Sequence, residues 1–272
     1  MIKRRDKKDS GGGRTIHIYI LLAGAALCLA AAGLMLLASG WAPFAQWYSE
    51  HVYPLLVSTT GRFMGLFPFS VAEISIYLLL AAFAGSAVYT VIKIVRRRKA
   101  KDLLFRWFSF VALAAGILAF LYSAGCGINY YRQPFSEAEG IVTFRYSAED
   151  LEEICLWLTE EVNARSGIVS RDENGVMELN APEGEGAVEA MEKLSQEFSS
   201  LQGYYPQPKK LVVSEVLSYQ GLTGIYLPFT IEANYNGDMT AYNIPFTVCH
   251  ELSHLRGFME EKEAFACAGL YA

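Results

Sequence analysis

Apolar residues are unevenly spread along this chain. They form three near-continuous blocks early on, at Ile16–Leu37, Val71–Val95 and Leu103–Ala124, and are periodic or scattered afterwards. About 20 apolar residues suffice to carry a helix across the hydrocarbon core, so each block reads as a transmembrane helix. A cleaved signal peptide has an apolar core of only about 7–15 residues; the first block is longer and reads as an uncleaved anchor. A soluble domain of this size rarely needs three wholly apolar helices of such length, which argues against buried core helices. Between the first two blocks, Trp41–Ser70 is mixed. Its Trp41, Trp47, Tyr48 and Tyr53 suit a membrane interface, and the stretch reads as amphipathic, lying on the outer surface.

The second half has a different texture. Ser147 with Asp150 three residues on is an N-cap signature, and Leu151, Ile154, Cys155, Leu158 and Val162 follow at helical spacing. Residues 167–186 are polar and turn-rich, Ala187–Leu201 is again helical in pattern, and Leu211–Val216 reads as a strand. Gly224–Tyr235 reads as one extended segment that Pro228 restricts to a sheet edge.

Charge sharpens the membrane picture. Hydrophobic residues make up 53% of the chain and charged residues 19%, a greasy balance for a soluble protein. Lys and Arg crowd into the basic tail before Ile16 and into the loop between the second and third blocks, whereas the loop between the first two holds only Arg62. By the positive-inside rule the N-terminus and the second loop are cytoplasmic, and everything after Ala124 is outside. No basic patch is interleaved with aromatics, so nucleic acid is not implied as a partner. The five cysteines are irregularly spaced and suggest neither a zinc ribbon nor a disulfide framework; Cys249 reads as a small buried apolar residue.

Candidate chemistry is concentrated in Val248-Cys249-His250-Glu251-Leu252-Ser253-His254-Leu255-Arg256-Gly257. On a helix, His250 and His254 share a face and can direct two imidazoles at one ion. Zinc takes neutral imidazole nitrogens and keeps a position open for water in catalytic sites. Glu251 would reach that water without occupying the metal, the general-base position of a metalloprotease helix. H-E-x-x-H alone recurs by chance on solvated helices. Here two of only four histidines fall in it, and the run before it is apolar; two unpaired buried histidines would be costly.

A third ligand must come from beyond Gly257. An unbroken helix would carry Glu261 about 10 Å further along the axis, whereas a turn at Gly257 would fold an acid back. Glu260, Glu261 and Glu263 are the candidates. Glu260 sits where some zinc proteases with a glycine turn place their third ligand. Glu261 with Ala264 forms E-x-x-A, like the glutamate-donating helix of other zinc peptidases, and is favoured; where those often carry Asp or Asn to orient a ligand, this chain has Phe265. A metal-bound peptide could pair with an edge strand, which makes Tyr226, Pro228, Phe229, Glu232 and Asn234 candidate substrate contacts. Tyr226, Tyr235 and Tyr242 are available to stabilise an oxyanion.

Several of these segments together resemble a known family. The three spans, N-Y-Y-R-Q-P after the third, G-I-Y-L-P-F-T-I-E-A-N, and P-F-T-V-C-H-E-L-S-H-L-R-G with E-K-E-A-F look like the bacterial membrane-protein family called domain of unknown function 3810. The resemblance covers nearly the whole chain. It implies a membrane-anchored, zinc-peptidase-like protein with His250 and His254 as ligands and Glu251 as base. The family pattern tends towards E-D-E-A-N, from which Lys262 and Phe265 depart, leaving both the support of the ligands and the choice between Glu261 and Glu263 open.

The expectation is therefore a multi-pass protein of the bacterial plasma membrane. A basic cytoplasmic tail (1–15) leads into a membrane domain (16–124). An α+β, zincin-like extracytoplasmic domain (125–272) follows, with a small sheet whose edge strand lies beside the H-E-x-x-H helix, and with its C-terminus expected to be truncated. Zn2+, a peptide or protein substrate and the lipid bilayer are the expected partners. The rival readings are a non-catalytic membrane sensor or assembly protein with a structural metal site, and a zinc amidase acting on cell-wall peptides. Charge-free span interiors argue against a channel or transporter.

Overall fold

The computed structural model describes residues 6–97, 100–142, 145–178 and 185–270. The first five residues of the basic tail, Arg98 and Lys99 of the second basic cluster, residues 143–144, residues 179–184 and Tyr271–Ala272 lie outside the described residues.

Each apolar block forms one helix: α1 (Asp6–Gly40), α2 (Val71–Arg97) and α3 (Ala100–Gly125). In their most apolar windows only 11%, 0% and 11% of residues are buried. Among the described residues these three are long and apolar enough to cross a membrane, and their bare apolar surface calls for a hydrocarbon solvent, as in a membrane protein. α1 starts within the expected tail, because a helix already formed by the apolar run extends at little cost.

Contacts divide the chain into two compact units. One comprises residues as far as Thr60, Ser70–Arg132 and Leu227–Ile231; the other comprises Gly61–Phe69, Gln133–Tyr226 and the residues from Glu232 onward. This division cuts across the single boundary expected at residue 125.

In the first unit, α1 and α3 approach backbone to backbone. A Cβ on Gly24 would lie 2.6 Å from the Ala112 carbonyl carbon, the small-residue contact that lets membrane helices associate. Residues 42–64 alternate α and π turns. Pro54 lacks the N–H a regular helix would use, and a π turn absorbs such a gap. Ala45, Tyr48, Tyr53 and Val57 are buried along this run. The Tyr48 hydroxyl donates to the Ala124 carbonyl (2.8 Å), and Ser49 donates to Asn129 Oδ1 (2.7 Å).

In the second unit, α4 (Ala148–Arg165) starts at the expected capping box, Ser147 with Asp150. The residues at helical spacing, Leu151, Ile154, Cys155, Leu158 and Val162, are all exposed. α5 (Glu185–Glu197) buries Ala187, Val188, Ala190, Met191 and Leu194 and packs on the helix that carries the histidines. The sheet has the order β1-β3-β2, from β1 (Lys209–Lys210), β2 (Gly224–Leu227) and β3 (Glu232–Tyr235). β1 runs parallel to β3, with Lys209 opposite Asn234 and Lys210 opposite Tyr235.

Two strand expectations change. Leu211–Val216 is not a strand: the Leu211 N–H bonds Tyr235 (3.0 Å) at the end of β1, after which the Ser214 hydroxyl bonds back to the Leu211 carbonyl (2.5 Å) and a short helix, Ser214–Tyr219, begins. Gly224–Tyr235 is not one edge strand but a hairpin, turning at 228–231. Pro228 has no N–H to give a ladder, so it falls in the turn rather than in a strand. Two further helices, α6 (Ile244–Leu255) and α7 (Glu261–Gly269), complete the fold.

Candidate metal centre

α6 opens with Pro245 in its first turn, where a missing N–H costs nothing. Ile244, Val248, Leu252 and Leu255 are essentially inaccessible and seat the helix in the unit, which packs it against β3, α5 and α7. The helix then stops abruptly. The Gly257 N–H bonds the His254 carbonyl (2.8 Å) and the Phe258 N–H bonds the Ser253 carbonyl (3.2 Å), the double bond of a Schellman stop, with Gly257 at φ +94°. A side chain there would be strained. The reversal has two effects on the site. It aims the Phe258 carbonyl at His254 Nδ1, 2.8 Å away, and it starts α7 so that its first residue faces back.

That first residue is Glu261. Its carboxylate lies 3.0 Å from His250 Nε2 and 3.6 Å from His254 Nε2. One ligand atom from each of the three residues lies within 4.8 Å of the others. The other acids are engaged elsewhere. Glu263 is buried and accepts from the Ser136 N–H (3.0 Å), while Glu260 pairs with Lys262 (2.8 Å) at the surface.

The electrostatics suit a cation. Burial, then the neighbouring His254, hold His250 below the usual imidazole range, against the pull of Glu261; the neutral ring is the form a metal takes. The bond to the Phe258 carbonyl puts the His254 proton on Nδ1 and leaves Nε2 its lone pair. Cys249 is not part of the converging group, and burial pushes its thiol up to about 11.

Glu251 stands beside this group. It is 4% exposed. Burial, then the charge on Glu261, push its carboxyl up to about 8, against a main-chain bond from Tyr226. Gly224 lies over it so closely that a Cβ there would be 2.5 Å from Glu251 Oε1. The Asn236 N–H bonds the Thr223 carbonyl (2.8 Å), and strand alternation from that pair turns the main-chain groups of Gly224 and Tyr226 away from β3. Glu251 therefore meets β2 along its outer edge.

The family model described as Protein of unknown function (DUF3810) matches residues 48–272. The chain belongs to the DUF3810 family. No curated protein and no solved structure matches it.

The remaining site candidates of this DUF3810 chain are placed as follows. Tyr226 is on β2 and reaches the site through its N–H. Pro228 and Phe229 are in the hairpin turn. Glu232 and Asn234 are buried in the middle strand rather than on an edge: Glu232 pairs with the buried Lys209, whose amino group also donates to the Met64 carbonyl (2.7 Å), and Asn234 donates to the Ile225 and Glu232 carbonyls (3.3 and 3.1 Å). Tyr235 is buried on β3, and Tyr242 is exposed in the turn before α6. Two contributors to the site have no counterpart among the sequence candidates: Gly224 and the Phe258 carbonyl. A charged residue inside a β pattern calls for a buried opposite charge, which is the one available signal for Lys209 and Glu232. A backbone carbonyl leaves no trace in residue type.

Proposed function

We propose that this protein is a membrane-anchored, zinc-dependent metallopeptidase with its active site outside the cytoplasm. The observation that carries this reading is the convergence of His250 Nε2, His254 Nε2 and the Glu261 carboxylate beside a buried, raised-pKa Glu251. His250, His254 and Glu261 would hold Zn2+, which supplies Lewis acidity for polarising a carbonyl and acidifying water. Glu251 takes the proton of the attacking water on its carboxylate and passes it to the leaving amine, for which a carboxyl titrating near neutrality is well matched. The outer edge of β2 beside Glu251 offers an extended peptide main-chain pairing at Gly224, the Tyr226 N–H being taken by Glu251. The extracytoplasmic orientation rests on the basic tail and on the basic loop around Arg96.

The test uses the full chain in detergent. Purified protein is expected to carry about one zinc per chain and to cleave an unfolded, dye-labelled casein; a chelator should stop cleavage and added zinc restore it. Absence of bound metal removes the proposal. Bound metal without cleavage of casein or of a random peptide library supports a structural site instead.

Gly224 gives a narrower test. In Gly224→Ala the new methyl group displaces the Glu251 carboxylate. Displacements of about 1 Å at reacting groups cost about 10²-fold, so kcat should fall by that order with zinc content unchanged. Wild-type turnover in this variant would show that β2 does not position the base.

A further inference from the structure

The two histidines of the metal centre are held by different means. His254 has its Nδ1 on the Phe258 carbonyl at 2.8 Å. His250 Nδ1 is buried and has no hydrogen-bonding partner among the described residues. What meets the His250 ring is Phe265, edge to face, with centroids 4.7 Å apart and planes at 66°. Phe246 in turn packs on Phe265 at 5.5 Å. His254 also meets the His250 ring, at 4.6 Å and 87°. The His250 imidazole thus packs on two rings, one of which packs on a third.

Metal-binding histidines almost always give their second nitrogen to a carboxylate, carbonyl or water, which fixes the ring and raises its basicity. We infer that Phe265 is a positioning residue of this centre, setting the plane of the His250 imidazole by apolar packing in place of a hydrogen bond. The inference rests on the metal-binding reading of the site. An edge-to-face aromatic contact contributes about as much as a typical hydrogen bond, so ring packing is strong enough for the task. Placement supports it as well. Phe265 is four residues beyond Glu261 and shares its face of α7, so one helix delivers both the carboxylate and the ring. Phe265 is also 54% exposed, so burial in the core does not explain its position. Orientation without an acceptor at Nδ1 leaves His250 the weaker electron donor of the pair.

The experiment is a zinc titration of the full chain in detergent, by competition with a chromophoric chelator, for the wild type, Phe265→Ala, Phe265→Leu and Phe246→Ala. Melting temperatures of the metal-free proteins and visible spectra of the Co2+ forms are recorded alongside. Phe265→Ala is expected to weaken zinc binding by about tenfold or more, the scale on which partners of a ligand act, and to change the Co2+ spectrum as the His250 ring tilts. Phe265→Leu, which keeps bulk against the ring, should recover most of the affinity. Phe246→Ala, which leaves Phe265 in place but unbraced, should show a smaller loss in the same direction. A loss that tracks only the metal-free melting temperature, with an unchanged Co2+ spectrum, overturns the inference. So does wild-type zinc affinity in both Phe265→Ala and Phe246→Ala, and that result leaves the metal site standing. A wild type that binds no zinc removes the metal site itself.

Discussion

Glu251→Gln should retain one zinc per chain and lose hydrolysis by about 10²–10⁴-fold, the usual contribution of a general base. Zinc stays because Glu251 is not one of the three converging ligands; hydrolysis goes because an amide cannot accept the water's proton. The same variant has a second signature, in the metal-free protein. The folded carboxyl titrates near 8 against an ordinary value of 4.5, so between these pH values the unfolded chain gives up a proton that the fold retains. Stability of the wild type therefore falls as pH rises from about 4.5 to about 8, by on the order of a few kcal/mol. The Gln variant carries no such penalty. Its metal-free form should melt higher than the wild type at pH 8 and equal it near pH 4. Equal cleavage by the two proteins would dismiss Glu251 as the base, and parallel melting curves across that range would dismiss its buried, raised carboxyl.

The second large effect separates three neighbouring acids. Glu261→Ala should weaken zinc binding by more than about 100-fold, beyond what the loss of an outer partner costs, because its carboxylate faces both imidazoles. Glu260→Ala should do nothing measurable to zinc, since that side chain makes only an exposed pair with Lys262. Glu263→Ala should leave folded protein with near-normal zinc affinity but lower its stability by about 1 kcal/mol, because the half-buried Ser136 N–H loses its acceptor. Chelator competition and chemical denaturation of the three variants distinguish these outcomes. If Glu263→Ala loses zinc while Glu261→Ala keeps it, Glu263 rather than Glu261 completes the ligand set.

Much of this was legible in the residues, and the limits follow from physics. Apolar length alone marks α1, α2 and α3, because nothing but a lipid core asks for such runs. Ser147 and Asp150 mark the start of α4 because capping is local. The periodicity of Leu151 to Val162 gave the helix and its apolar stripe, but periodicity states which face is apolar and not whether anything covers it. The Gly257 stop was readable from one glycine, and it is what brings Glu261 back to the histidines. The hairpin was not readable: its turn ends on Ile231 at φ +56°, a conformation that a β-branched residue adopts only when its surroundings impose it. Phe265 was visible as a departure from an Asp or Asn, but its packing on His250 depends on how α6 and α7 meet, which no local pattern encodes.

The Lys209–Met64 bond joins residues 145 positions apart, with α2 and α3 between them in the chain. During synthesis, residues 61–69 are made before two apolar helices that must enter the bilayer, and they wait for most of the chain before their own unit can close. Such long-range closure is slow because the chain entropy is lost before any contact returns it. A fragment begun after α3 would contain every candidate ligand and still lack one piece of the unit that holds them. Expression of that fragment alone should therefore yield less folded protein than the full chain assembled in a membrane.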